Sequence, residues 1–228
     1  MKNRLRLALP LLALAGALPA ARATTFLAPG GLNVRMPVTS MYERRNAGTV
    51  LQQYDFSCGS AAIATLLTHH YGRPVGEQEV LREMYARGDQ QRIQKEGFSM
   101  LDMKRYLQGL GYEADGFQQP LDKLAAARLP AIALINEANY HHFVVIKGLK
   151  DGQVLMGDPA RGIRSVRRAE FEKVWVGGLL FVIHNRVGEA RFNQAADWRA
   201  VPRAPLAAGV GQEGLAGIAL PKHGPGDF

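Results

Sequence analysis

At 228 residues, 47% hydrophobic and 21% charged, the chain has globular composition and the length to bury one substantial core. Its formal charge of +8 falls to +4 without the first 23 residues, which hold four basic and no acidic side chains. The remaining charge is too modest and scattered for a nucleic-acid footprint, and a single cysteine excludes an internal disulfide.

Lys2, Arg4 and Arg6 precede an apolar run, residues 7–20, that leads into Ala21-Arg22-Ala23, a small-x-small cleavage pattern. Residues 1–23 therefore read as a secretory signal peptide, with a mature protein exported to the periplasm and starting near Thr24. The run falls short of the roughly twenty residues a spanning helix needs, so no stable membrane span is expected after cleavage. Residues 24–47 form an N-terminal lead with a break at Pro29-Gly30-Gly31 and a short strand at 32–38. A central domain is expected over 48–186, followed by a Pro-, Gly- and Ala-rich extension, 187–228, that packs loosely or is partly disordered.

Within the domain, Cys58-Gly59-Ser60 opens an apolar, helix-forming segment, 61–71, closed by Gly72 in the position of a C′ glycine. Two amphipathic helices follow: Glu77–Arg87, with Val80, Leu81 and Met84 on one face, and 101–110, begun by a Ser99/Asp102 capping box and stopped by Gly111. Pro120, as first helical residue, introduces a short helix through Arg128. Strands are expected at 131–135, 142–149, 153–156, 163–166 and 179–184, with Asp151-Gly152 as a hairpin turn. The fold class is α+β: a helical first half packed on an antiparallel sheet. The local cluster Arg161, Arg164, Arg167 and Arg168 could bind something acidic but is more often a solvated strand face.

A lone cysteine is ordinarily a small buried hydrophobe, but Cys58 stands at a helix start, where free N–H groups and the macrodipole favour a thiolate. Gly59 leaves room beside the sulfur for a substrate backbone. Gln52, six residues upstream, can return its amide to an oxyanion alongside the Cys58 N–H. Of six histidines, His69 and His70 lie about three turns along the nucleophile's own helix, too far to reach the sulfur, while His184 and His223 read as structural or exposed. The base is then His141 or His142 at the start of an apolar strand, and only one of them can serve, because neighbours on a strand face opposite ways. Asp158 in Gly157-Asp158-Pro159 can orient that base, although Asp-Pro is also a plain turn signal. No metal-binding spacing is present, and no cofactor is implied.

The stretch Gln52-Gln53-Tyr54-Asp55-Phe56-Ser57-Cys58-Gly59-Ser60, then Tyr140-His141-His142-Phe143-Val144-Val145, Gly157-Asp158-Pro159 and Glu170-Phe171 with Trp175 resemble, in order, the motifs of the bacteriocin-processing, double-glycine-leader cysteine peptidases. The resemblance implies a papain-like fold and selects His142 over His141 as base, Asp158 as its partner and Gln52 over Gln53 as the oxyanion residue. It implies cleavage after a Gly-Gly or Gly-Ala type pair. Family members are usually the N-terminal domain of an ABC exporter; this sequence carries an export signal instead and no ATP-binding motif, so it resembles the stand-alone exported relatives that accompany secretion systems, including those for functional amyloid. The expected partners are a co-exported peptide or protein substrate and a secretion apparatus. Two rival functions are a papain-like acyltransferase or amidase and a non-enzymatic chaperone or adaptor that grips an exported peptide.

Overall fold

The computed structural model describes residues 23–27, 33–37 and 39–201; the expected signal peptide, apart from Ala23, and the extension from 202 onwards lie outside the described residues. The chain divides into two units, 1–40 and 41–228. In the first, β1 (Ala23–Leu27) pairs antiparallel with β2 (Asn33–Pro37), the latter being the strand expected in the lead.

The second unit begins with α1 (Met41–Asn46) and α2 (Cys58–Thr65), which continues as a π-helical turn over Leu66–His70 and stops at Gly72, whose φ of +65° suits the expected C′ glycine. All eight residues of α2 are buried, as an apolar helix without a polar face requires. Then come α3 (Glu77–Arg87), α4 (Gln90–Glu96) and α5 (Met100–Gly109). The Ser99/Asp102 capping box is formed, and Gly111, at φ +80°, closes the far end of α5. Next are β3 (Ala114–Gln118), α6 (Leu121–Ala127), β4 (Ala131–Glu137), β5 (Tyr140–Lys150), β6 (Gln153–Asp158), β7 (Gly162–Arg167), α7 (Arg168–Val174), β8 (Trp175–Ile183) and α8 (Ala195–Ala200). Pro120 caps α6 from outside rather than standing as its first residue.

The sheet is antiparallel throughout, in the order β3-β8-β4-β5-β6-β7. Alternation along β5 sends Phe143 and Val145 into a core shared with α2, α3 and α5, and Val144 and Ile146 into a second core closed by Leu121, Leu124, Phe171 and Phe192. Two tight hairpins flank β5. Ala138 and Asn139 (φ +52° and +65°) join β4 to β5, and Asp151 and Gly152 (φ +50° and +69°) join β5 to β6, the left-handed pairs that two-residue hairpins need.

The segment after 186 packs closely as far as residue 201. Phe192 is buried, the Arg191 and Asn193 N–H groups donate to the His70 and Lys147 carbonyls (both 2.9 Å), and Asp197 of α8 pairs with the fully buried Lys147 at 3.1 Å. Loose packing of this first part of the extension is thereby corrected. The cause is two side chains, Phe192 and Asp197, that supply what the sheet's far end lacks. Among the described residues, no helix is long and apolar enough to cross a membrane.

Candidate active site

Ser57 is the N-cap residue of α2, yet its hydroxyl makes no cap bond. It donates to the Tyr54 carbonyl (3.0 Å) and accepts from the Tyr54 N–H (3.2 Å), closing the preceding loop on itself. The first N–H groups of the helix stay open, and those of Cys58 and Gly59, with that of Phe143 on β5, bear on the Cys58 sulfur.

Burial raises the Cys58 thiol above its ordinary value; the three N–H groups oppose this, and the Asp158 charge adds to it. Burial thus opposes the thiolate that the helix position favours. At 7% exposure, desolvation outweighs the helix terminus. Gly59 also has a packing reason: a Cβ there would lie 3.0 Å from Phe98 Cβ and 3.7 Å from Phe143 Cδ2, so the glycine allows close packing under Phe98.

His142 lies inside β5, two residues past its start, and is 3% exposed, whereas His141 is exposed. Its Nε2 faces Asp158 Oδ2 at 3.4 Å, and its Nδ1 is buried with no hydrogen-bond partner. Asp158, at the end of β6, is fully buried. Burial pushes its carboxyl up, but the His142 contact, the Ala160 N–H (2.9 Å) and the Arg164 charge together hold it below the ordinary value.

Gln52 is tied to the Asp158 turn by its backbone N–H, which donates to the Pro159 carbonyl at 2.9 Å. Its side-chain Nε2 donates to the Tyr54 carbonyl at 3.0 Å and lies against the Tyr140 hydroxyl. The neighbouring Gln53 accepts from Gln78 of α3 at 2.7 Å. Cys58 is thus carried by a helix start, His142 and Asp158 by two neighbouring strands, and Gln52 by a loop bonded to the Asp158 turn.

Three residues to which the sequence assigned no part in the site, Tyr140, Glu137 and Arg164, are linked to it. The Tyr140 ring is tilted against His142 with centroids 5.3 Å apart, and its hydroxyl donates to the Asp55 carbonyl at 3.1 Å. Glu137, opposite Tyr140 across the hairpin, takes Arg164 at 2.7 Å and Arg161 at 2.6 Å. Arg168 pairs with Asp122 and Glu172, so three members of the expected solvated basic face are engaged in ion pairs. Tyr140 stands two residues before His142, the same-face spacing of a strand, which was the available signal; Arg164 offered none.

The peptidase domain of Streptococcus ComA, described as a bi-functional ABC transporter involved in a quorum sensing pathway, superposes with a TM-score of 0.50 at 22% identity, over 60% of this chain and 97% of that one. The fold is that of a papain-like cysteine peptidase. The Peptidase C39 family matches residues 46–186, and the chain belongs to that family. A protein named "Probable functional amyloid protease FapD" from Pseudomonas aeruginosa is 43% identical over 155 residues, 68% of each chain. One of the same name from Pseudomonas fluorescens is 39% identical over 173 residues, 76% of each. The chain is a cysteine peptidase.

Proposed function

We propose that this protein is an exported endopeptidase that cuts after a small-residue pair of the Gly-Gly or Gly-Ala type in a peptide or protein exported alongside it. The observation that carries this reading is the buried His142–Asp158 pair, in which the imidazole turns one nitrogen to the carboxylate and keeps the other free of protein partners, with the Asp158 charge and the Phe143 N–H both reaching the Cys58 thiol. Cys58 is the nucleophile. As its sulfur attacks the scissile carbonyl carbon, the thiol proton passes to His142 Nδ1, and Asp158 stabilises the imidazolium and holds its orientation.

The carbonyl oxygen becomes an oxyanion, received by the Cys58 N–H and the Gln52 amide. Gln52 donates to the Tyr54 carbonyl and lies against the Tyr140 hydroxyl, so it serves the oxyanion by exchanging the Tyr140 contact. Collapse breaks the C–N bond, and the leaving amine takes the proton back from Nδ1. Water, deprotonated by the same nitrogen, then hydrolyses the thioester. Burial disfavours the thiolate, so a base that takes the proton assists the first step.

The relatives named as functional amyloid proteases support a co-exported, amyloid-forming substrate, and the basic then apolar N-terminus supports the periplasm. The test is mass mapping of co-exported proteins incubated with wild type, Cys58→Ala and His142→Ala. Cuts after small-residue pairs in wild type alone are expected. Equal cutting after bulky residues would remove the specificity, and intact substrate that co-purifies with all three would favour a binding role.

A further inference from the structure

Asp158 presents an electrostatic problem. A fully buried carboxylate needs a cation, and in the resting enzyme of the proposed mechanism His142 is neutral. A permanent cation is nevertheless in place. Arg164 Nε lies 2.9 Å from Asp158 Oδ2, the oxygen that also faces His142 Nε2 at 3.4 Å. The approach is too oblique for a hydrogen bond, so Arg164 acts on that oxygen as a charge and leaves its lone pairs to the imidazole.

What holds the guanidinium off-line is Glu137. Its Oε1 takes Arg164 Nη2 at 2.7 Å, while its Oε2 takes Arg161 Nη1 at 2.6 Å. Two arginines and two carboxylates balance. Glu137 is fixed in turn by the tight Ala138-Asn139 hairpin, whose other end is Tyr140 against His142. Four groups face the Asp158 carboxylate or its field: His142 from β5, Arg164 from β7, Cys58 from α2 and Tyr140 from the start of β5.

We propose that Arg164 and Glu137 are positioning residues for the peptidase reaction: Arg164 keeps Asp158 charged through the part of the cycle in which His142 is neutral, and Glu137 keeps Arg164 from taking His142's place on Oδ2. The inference rests on the Cys58, His142 and Asp158 assignment proposed above. Neither residue touches substrate or the sulfur in this scheme.

The experiment measures kcat and KM against pH for the full chain and for Arg164→Met, Arg164→Lys and Glu137→Gln, on a peptide the wild type cuts, with active sites counted by Cys58 alkylation. Arg164→Met should lower kcat per active site by about a hundredfold with little change in KM, as misplacement at a catalytic group does. Its acid limb should move up by about one pH unit, because a carboxylate that loses a nearby cation takes a proton more readily. Arg164→Lys restores the charge and should return the limb to the wild-type position. Glu137→Gln should lower kcat by about tenfold without raising the acid limb, since the guanidinium is retained.

A merely structural role would reduce the number of active sites and leave kcat per site and the limb unmoved, which overturns the proposal. Cys58→Ala and Asp158→Asn separate the two levels. Undiminished cutting by Cys58→Ala removes the underlying assignment, whereas inactive Cys58→Ala and impaired Asp158→Asn beside a normal Arg164→Met remove this inference alone.

Discussion

β5 carries a buried basic side chain near each end, His142 and Lys147, and each meets an aspartate from elsewhere in the chain, Asp158 and Asp197. At the Lys147 end the cation is closed in. Its Nζ bonds the Gly48 carbonyl as well as Asp197, and burial, only partly offset by Asp197, depresses its affinity for the proton. At the His142 end the pair is longer, 3.4 Å, and a ring nitrogen is left without a partner. The strand is the same and the burial similar, so burial alone does not mark a catalytic group. What sets the proposed catalytic end apart is a buried imidazole nitrogen with no partner.

The Lys147 end can be broken hardest. Asp197→Ala leaves an uncompensated buried ammonium and should cost about 3–5 kcal/mol in urea unfolding, with kcat per folded molecule retained. Lys147→Met combined with Asp197→Leu should regain most of that loss; a double variant as unstable as the single would show that the pair contributes more than charge balance.

A second test uses His70, buried behind the same end, with Nδ1 2.5 Å from the Arg191 carbonyl. Burial, reinforced by the Lys147 charge, lowers it from 6.5 to about 3. A depressed value means the unfolded chain binds the proton first. This contribution is therefore full above pH 6.5 and is lost as pH falls from 6.5 towards about 3. Stability should fall by up to about 1.4 kcal/mol per pH unit between 6 and 4.5, and His70→Gln should flatten the slope. The smallest effect lies away from both ends. Ser99→Ala removes the α5 capping box and should cost about 1 kcal/mol with no change in pH behaviour, which separates ordinary helix stability from the two buried pairs.

Where a signal is local, the sequence was legible. The bounds of α3, the Ser99/Asp102 box, the Gly72 stop and the Asp151-Gly152 turn each depend on neighbours within one helical turn or one hairpin. Of the missed elements, α4 carries an Asp89 cap and Gly97 at φ +80° but little apolar periodicity, and the others lack local signals. β3, Ala-Asp-Gly-Phe-Gln, contains two poor strand formers and exists because β8 pairs with it. α4 buries a single apolar side chain, Ile93. The β4–β5 hairpin puts Ala138 at positive φ, a residue that does not advertise that conformation.

The site divides in the same way. Cys58 and the His141/His142 pair stood out by residue type and placement, and the choices of His142 and Gln52 came from the family resemblance. The packing of Gly59 under Phe98 was not legible, because Phe98 and Phe143 are brought in from 39 and 84 residues away. Glu137 and Arg164 are likewise joined across 27 residues.

The most direct measurement is the intact mass of the enzyme, acid-quenched during turnover of a cleaved peptide. The mechanism predicts a transient adduct equal in mass to the N-terminal acyl fragment, located on Cys58 and absent from Cys58→Ala, which should also lose at least about four orders of magnitude in kcat. Cutting that continues in Cys58→Ala, or turnover with an adduct on another residue, would contradict it.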